Sequence, residues 1–476
     1  MGYLTGASTR VVNVGLESFS EAVRAQEIPA IDVAWRPPAG GEPELVRLLV
    51  ATGPVREQIA AANAEALRRL VSARPAWVGI RRASDAIPGM DGRIIIHSGP
   101  ARPYDVMCGP HQRAAAWAAV WEGWAPNPDA AARALRAGEI RLEPTNLHSS
   151  VCPMAGVISP SMPVHVVRDE TLGLSAFGLI NEGRDHTIWL GNPGTPTFDR
   201  LDWFRDELGP TVTAALDRLH GLDLFSVFAQ ALQMGDELHA RFQALTALLI
   251  RSLAAPMLEA GISGPAAARV IRFLETNPLF ALPITMAGCR VAADAAHGIP
   301  YSTVVTGMSR NARDFGLRVS GLGDQWLTRP LPAWEGVLYY TGYSDRDNAG
   351  DIGDSSMIEC AGIGYMAIAA APTMAAFAGG TVDDETRAAE DMGTICVGAH
   401  PTFTVPALGF AGTPTGIDVR LVVETGIVPR IDTGAVHETS PVAGQIGAGA
   451  APGPIDLFQD ALRALGEKWA AEVGAA

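Results

Sequence analysis

The sequence predicts a mixed α/β and α+β multidomain chain. It combines an N-terminal Rossmann-like βαβ segment, a central helical domain and a Gly-rich α+β C-terminal domain. Three observations carry this reading. Short β-branched runs alternate with helix-period stretches up to about residue 200. Helical periodicity then runs almost unbroken from Leu201 to His297. After Tyr301 the chain returns to alternating α/β character with frequent glycine. At 476 residues the chain is too long for one ordinary core. The expected units are residues 1–75, 76–200, 201–298 and 299–476.

The opening predicts strand, glycine, helix, strand: Val11–Val14, Gly15, a helical pattern through Phe19, Ala22 and Val23, then Ala30–Val33 ending at Trp35. Asp32 beside the second strand is the acidic residue of half a nucleotide-binding fold, but G-x-G-x-x-G is missing. Two prolines and two glycines make residues 36–41 a rigid turn. A helix is predicted over 55–73, with Ile59, Leu67, Leu70 and Val71 on one stripe. Strands follow at 76–80 and 93–96, then helices at 111–124 and 128–137, the second capped by Asn127 with Pro128 in its first turn. Residues 142–167 are rich in Pro, Ser and Met and predict strands and a long loop. Helices are predicted over 212–219, 237–258, 265–275 and 284–297, the last stopped by Gly298 and Pro300, and an amphipathic helix over 454–471 closes the chain.

Nearly half the residues are apolar (48%) and 18% are charged, the balance of a well-buried globular protein. Acidic residues outnumber basic ones 51 to 36, a formal charge of −15. Such a field repels phosphate backbones and anionic lipid, so neither nucleic acid nor membrane is an expected partner. Five scattered cysteines without C-x-x-C exclude a disulfide framework and fit a reducing cytosol. The start MGYLTGASTR has no apolar signal region, so a cytoplasmic location is expected. The uncharged stretch 360–380 is mostly Ala and Gly with Pro372, which predicts buried helices rather than a membrane span.

Four constellations are candidates for chemistry. Arg310, Asn311, Arg313 and Arg318 put three arginines within nine residues, an anion-binding pattern in an acidic chain. The competing reading pairs them with Asp324, Asp345 and Asp347. The stretch 342–355 carries four aspartates but has Ser356 where a calcium loop needs glutamate, so turns and caps are expected there in preference to the alternative, a magnesium ion on one or two of the carboxylates. Residues 412–418 offer Thr413 and Thr415 between glycines, either an anion loop or a structural turn. Asp236, Glu237 and His239 open the helix predicted at 237, with Asp236 as cap, Glu237 paired to Arg241, and His239 as proton-transfer residue. Lesser candidates are Asn181 and Glu182, His148, and His437 beside Glu438. Cys108 has no evident histidine partner and reads as a buried thiol. No cofactor motif is present.

Together these segments resemble the YlbE/YahG-like family. The resemblance is carried by VVNVGLESF and WRPPAGG near the N-terminus, MCGP at 107–110, VCPMAGVISPSMPV at 151–164, INEG at 180–183 and MGDELH at 234–239. It continues through SRNARDFGLRVSGLGDQW at 309–326, GYSDRDNAGDIGDS at 342–355, PALGFAGTPTGIDVRLVVETGI and GQIGAGA. The resemblance implies oxamate carbamoyltransferase chemistry, in which a ureido acid such as oxalurate and phosphate give oxamate and carbamoyl phosphate. It also implies work beside an FdrA-like subunit that is itself similar to succinyl-CoA synthetase.

Both reactants are anions, so arginines and N–H-rich loops suit them, and the tetrahedral intermediate needs a donor at its developing oxyanion. The expected anion binders are Arg310, Asn311, Arg313, Arg318, Thr413, Thr415 and Asn181. The expected catalytic groups are His239, His437, Asp236 and Glu237, in a cleft between domains. The expected partners are a small anionic ureido or amide substrate, phosphate, an FdrA-like subunit and further copies of the chain. The alternatives are an acyl-CoA-synthetase-like or amide-ligating subunit, suggested by the N-terminal βαβ, and a non-catalytic scaffold that completes a partner's site.

Overall fold

The computed structural model describes residues 10–14, 16–33, 37–51, 53–375 and 380–475. It is a mixed α/β multidomain chain. Its centre is a five-stranded sheet in the order Leu222–Asp223, Ala76–Arg82, Pro163–Asp169, Leu174–Leu179, Ser150–Val151. Only the last pair is parallel. Strand Pro163–Asp169 is buried almost throughout, as its run of valines requires. Helices Gly209–Leu219 and Ala281–Ala295 pack on this sheet, and Gln243–Glu259 packs on Gly209–Leu219. The helical stretch therefore shares one apolar core with the sheet.

The second half is built on antiparallel strands. A four-stranded sheet runs Trp326–Pro330, Asp314–Val319, Val305–Asn311, Ile352–Gly353. A three-stranded sheet runs Leu338–Tyr339, Gln445–Pro452, Arg430–Val436, and a hairpin pairs Cys396–Val405 with Ala411–Ile417. The final helix, Ile455–Ala475, packs on helices Pro43–Ala51 and Val419–Thr425, so residues 39–59 share one core with the last helix.

Most helices lie within a few residues of the periodicity. The helix expected over 55–73 spans Arg56–Ser72, and Asn127 caps Pro128–Arg136 through its Oδ1, which accepts from Ala130 N at 2.9 Å. At the N-terminus, Val11–Val14 and Ala30–Val33 pair in parallel around helix Glu17–Arg24, and Asn13 donates to Asp32. No further strand joins this pair among the described residues. Gly15 and residues 34–36, including Trp35, lie outside the described residues.

Three local expectations are corrected. The helix predicted from 237 begins only at Gln243. Gly235 and Leu238 take positive φ (102° and 73°), and Glu237 turns its carboxylate onto the backbone of 239–241, so 234–242 is an irregular loop. The segment 412–418 is no loop; its first six residues complete strand Ala411–Ile417. The stretch 360–380 forms short helical turns at Met357–Cys360 and Gly364–Ala370, buried as expected, and at Pro372–Met374, where Pro372 and Thr373 are exposed; 376–379 lie outside the described residues. Among the described residues no helix is long and apolar enough to cross a membrane.

Candidate active site

A cleft of about 530 Å³ opens where the 234–242 loop meets the β-sheets of the second half. Loop residues His239 to Gln243, Asn277, Ser355, Asp432 and Gln445 line it. Glu237 builds the loop's shape. Its carboxylate accepts the backbone N–H groups of His239, Ala240 and Arg241, the latter two at 2.6 Å. Burial pushes that carboxyl up to about 7, while His239 and the three N–H donors pull the other way. Asp236 accepts from Leu245 N at 2.8 Å and so caps the next helix from a distance. Its carboxyl is pushed up to about 6 by burial.

His239 is almost fully buried, and its Nδ1 lies 2.6 Å from Glu359 Oε1. With Glu359 ionised, Nδ1 carries the proton and Nε2 is left free for proton transfer at the cleft. Asp432 also lines the cleft, and its two carboxyl oxygens are buried with no hydrogen-bond partner among the described residues. Burial, reinforced by Glu237, Glu359 and Glu385, holds the Asp432 carboxyl well above the ordinary carboxylate range. Glu385 is likewise unpartnered and pushed up to about 7 by burial. Among the described residues no group of three or more His, Cys, Asp or Glu is arranged to hold a metal ion.

The opposite rim is the loop 181–192. Asn181 Oδ1 accepts Gly183 N at 2.9 Å, a turn held from outside by Asn277, which donates to Asn181 O at 3.0 Å. Glu182 is fully buried, and its Oε2 accepts Ile188 N and Trp189 N. Trp189 Nε1 donates to Gly183 O at 2.5 Å. These bonds fix the tip that carries Arg184, whose exposed side chain makes no hydrogen bond or ion pair. Asn181 is thus a turn former, with its own Nδ2 buried and unpartnered.

The arginine cluster is dispersed. Strand alternation sends its members to different places, and each meets a carboxylate. Arg310 is fully buried and holds Asp351 in a fork, at 2.8 and 2.9 Å, with Gly353 O as a further acceptor. Arg318 donates to Asp294 and Thr306 O and lies over Trp326. Arg313 pairs with Glu438 at 2.6 Å. Pairing is therefore what the cluster does, but the acids are Asp351, Asp294 and Glu438, not Asp324, Asp345 and Asp347. Asn311 Oδ1 accepts Arg313 N and Asp314 N, and its Nδ2 donates to Pro100 O.

Thr413 and Thr415 are buried in their hairpin, where Thr415 Oγ1 donates to Thr413 O. His437 lies outside the cleft. Its Nδ1 accepts Thr439 N and Ser440 N, and Tyr343 packs edge-on against it. The aspartate stretch divides: Asp347 caps a turn at Ser344, while Asp354 is a buried acceptor for Gly99 N, Thr145 Oγ1 and Cys152 N. Cys108 does have a local partner, His111, with Sγ to Nδ1 at 3.6 Å, but burial pushes the thiol up to about 12.

The residues not anticipated are Asp432, Arg184 and Arg241, which line the cleft, and Glu359, which meets it through His239. Glu359 is the one charge in MIECAGIG and Asp432 the one acid in RIDTGAV, and a carboxylate inside a buried segment is the signal that marks them. Arg241 was legible only as a helix pair for Glu237. In the structure its Nε donates to Gly235 O at 3.0 Å, with Asp236 Oδ1 at 3.5 Å, and its terminal nitrogens make no hydrogen bond.

Residues 140–355 match the family described as oxamate carbamoyltransferase subunit AllG. That span holds Arg184, His239 and Arg241 but ends before Glu359 and Asp432. The uncharacterized protein YahG of Escherichia coli (strain K12) is 40% identical over 461 residues, 96% of this chain and 97% of YahG. Oxamate carbamoyltransferase subunit AllG of the same organism is 38% identical over 412 residues, 86% of this chain and 98% of AllG. The crystal structure of a conserved protein of unknown function from Enterococcus faecalis V583 superposes with a TM-score of 0.83 at 39% identity, covering 86% of this chain and 98% of that one.

Proposed function

We propose, from the premise that the chain belongs to the AllG/YahG-like family, that it is the subunit of a carbamoyltransferase that carries the proton-transfer machinery. The reaction is phosphorolysis of a ureido acid such as oxalurate, giving oxamate and carbamoyl phosphate. A phosphate oxygen attacks the terminal ureido carbon, and the bond from that carbon to the oxamate nitrogen breaks. The phosphate loses a proton and the departing nitrogen gains one. His239 Nε2 suits this transfer, as base toward the phosphate and acid toward the nitrogen. The supporting observation is the His239–Glu359 pair at the cleft.

The subunit description of the AllG family supports work within a complex, and an FdrA-like subunit is the partner we propose. The test is formation of carbamoyl phosphate from oxalurate and phosphate by the purified chain, alone and with an FdrA-like subunit. We expect product that requires His239, lost in His239→Asn. Undiminished product with His239→Asn overturns the catalytic assignment and leaves a scaffold. No product under either condition overturns the reaction itself.

A further inference from the structure

Both reactants of that reaction are anions, yet Arg310 and Arg318 are buried in internal ion pairs and Arg313 is tied to Glu438. Their charges are satisfied before any ligand arrives. Among the described residues that line the cleft, Arg184 and Arg241 are the only Arg or Lys side chains. We infer that Arg184 and Arg241 form the oxyanion subsite of this cleft, binding the carboxylate or phosphate group of the ligand. The inference rests on the carbamoyl-transfer reading for its choice of probes only.

The two arginines differ from the chain's other cleft neighbours in being unspent. Arg241 makes one hydrogen bond through Nε to Gly235 O, its side chain is 33% exposed, and its two terminal nitrogens have no acceptor. Asp236 lies beyond good hydrogen-bond reach at 3.5 Å, and burial pushes its carboxyl up, which weakens its hold as a counter-charge. The Arg184 side chain makes no hydrogen bond or ion pair among the described residues. The acids that share the cleft are Asp185 and Asp432, and the second is driven toward its neutral form by burial.

Presentation is what makes this a built site rather than two surface charges. Each arginine stands on a loop pinned by a buried glutamate. Glu237 accepts Arg241 N itself at 2.6 Å, and Glu182 ties the Arg184 loop through Ile188 N and Trp189 N. A planar guanidinium on a fixed backbone loses little freedom when it grips a carboxylate or phosphate in a fork. The subsite shares its cleft with His239, so an anion held there lies in the same cavity as the proton-transfer residue.

The experiment is equilibrium binding by calorimetry to the full-length chain, with oxamate, inorganic phosphate and the uncharged ester ethyl oxamate as probes. Arg184→Gln and Arg241→Gln are each expected to weaken oxamate, phosphate or both about tenfold, and to leave ethyl oxamate unchanged. Which anion is lost says whether the subsite belongs to the carboxylate or to the phosphate. Wild-type affinity for both anions in both variants overturns the inference, and so does a wild-type chain that binds neither at millimolar concentration. If Arg241→Gln lowers the unfolding midpoint, Arg184→Gln, on an exposed tip, carries the test. Because the readout is binding, this pattern in a chain that makes no carbamoyl phosphate would refute the reaction and keep the anion site. Turnover without the pattern would do the reverse.

Discussion

His239 Nδ1 stands 2.6 Å from Glu359 Oε1, joining the loop after one helix to a four-residue helix 120 residues further on. Glu359 also accepts Tyr365 N at 3.2 Å and leaves Oε2 without a partner. A carboxylate in this position sets the tautomer of the ring and steadies the imidazolium during proton transfer. His239→Asn is expected to lower kcat about a hundredfold or more. Glu359→Gln keeps an acceptor for Tyr365 but not the charge, and should lower kcat about tenfold or more with KM little changed. The two losses should not add, because they act on one proton. Steady-state formation of carbamoyl phosphate by the complete enzyme measures this. A Glu359→Gln enzyme with wild-type kcat removes Glu359 from the chemistry.

Arg310 separates stability from binding. Its fork to Asp351 is fully buried, and Thr433 Oγ1 also donates to Asp351. Arg310→Ala leaves Asp351 charged, buried and short of a partner, which costs about 3–5 kcal/mol. Arg313 is 38% exposed, and its pair with Glu438 is worth at most about 1 kcal/mol. Chemical denaturation should therefore show a large loss for Arg310→Ala and a small one for Arg313→Ala, while Arg313→Ala binds oxamate as the wild type does. Weaker oxamate binding in Arg313→Ala would return that residue to the site.

What was legible in the sequence was local. Helix Arg56–Ser72 announces itself by apolar spacing within its own turns, and Asn127 caps within three residues. The 234–242 segment shows the limit. Its composition suits a helix start, but Gly235 and Leu238 at positive φ and the Glu237 carboxylate on three N–H groups take it out of helix. The site failed to read for a different reason. Arg310 finds Asp351 41 residues away and His239 finds Glu359 120 away, and only the fold decides which charge meets which. An arginine cluster in sequence therefore says that anions are near, not that they are ligands. The segments 180–183 and 234–239 lead into loops that line one cleft, and the side chains named there, Asn181 and Glu237, shape the backbone that carries Arg184 and Arg241.

Gly99 is predicted to tolerate no side chain. It sits at φ 78°, and a Cβ there would collide with the backbone carbonyl of Arg310, which lies on the buried strand Val305–Asn311. Its N–H donates to Asp354 Oδ1, while Oδ2 of the same carboxylate accepts from Thr145 Oγ1 and Cys152 N. Left-handed strain for a non-glycine residue costs about 1–2 kcal/mol, and the clash adds to it. Gly99→Ala should lower the unfolding midpoint clearly more than Gly173→Ala, which shares the positive φ (67°) but meets no atom within 4 Å. Equal midpoints would mean that the close approach to Arg310 carries no weight.

Glu182 gives the chain a pH dependence with a definite sign. Burial pushes its carboxyl up to about 8, against the opposing pull of Trp189 N–H, Arg200 and Ile188 N–H. The unfolded chain loses that proton near pH 4.3. Between about pH 4.3 and 8 the folded chain holds a proton that the unfolded chain has released, so stability falls as pH rises through this window and levels off above it. Glu182→Gln cannot ionise, and its carbonyl can still accept from Ile188 and Trp189. The variant should match the wild type at pH 4 and exceed it by a few kcal/mol at pH 8.5. Urea midpoints of both chains at the two pH values measure it. A wild type that is as stable as the variant at pH 8.5 would mean that Glu182 ionises without penalty, and that the Arg184 loop is not held by a neutral acid.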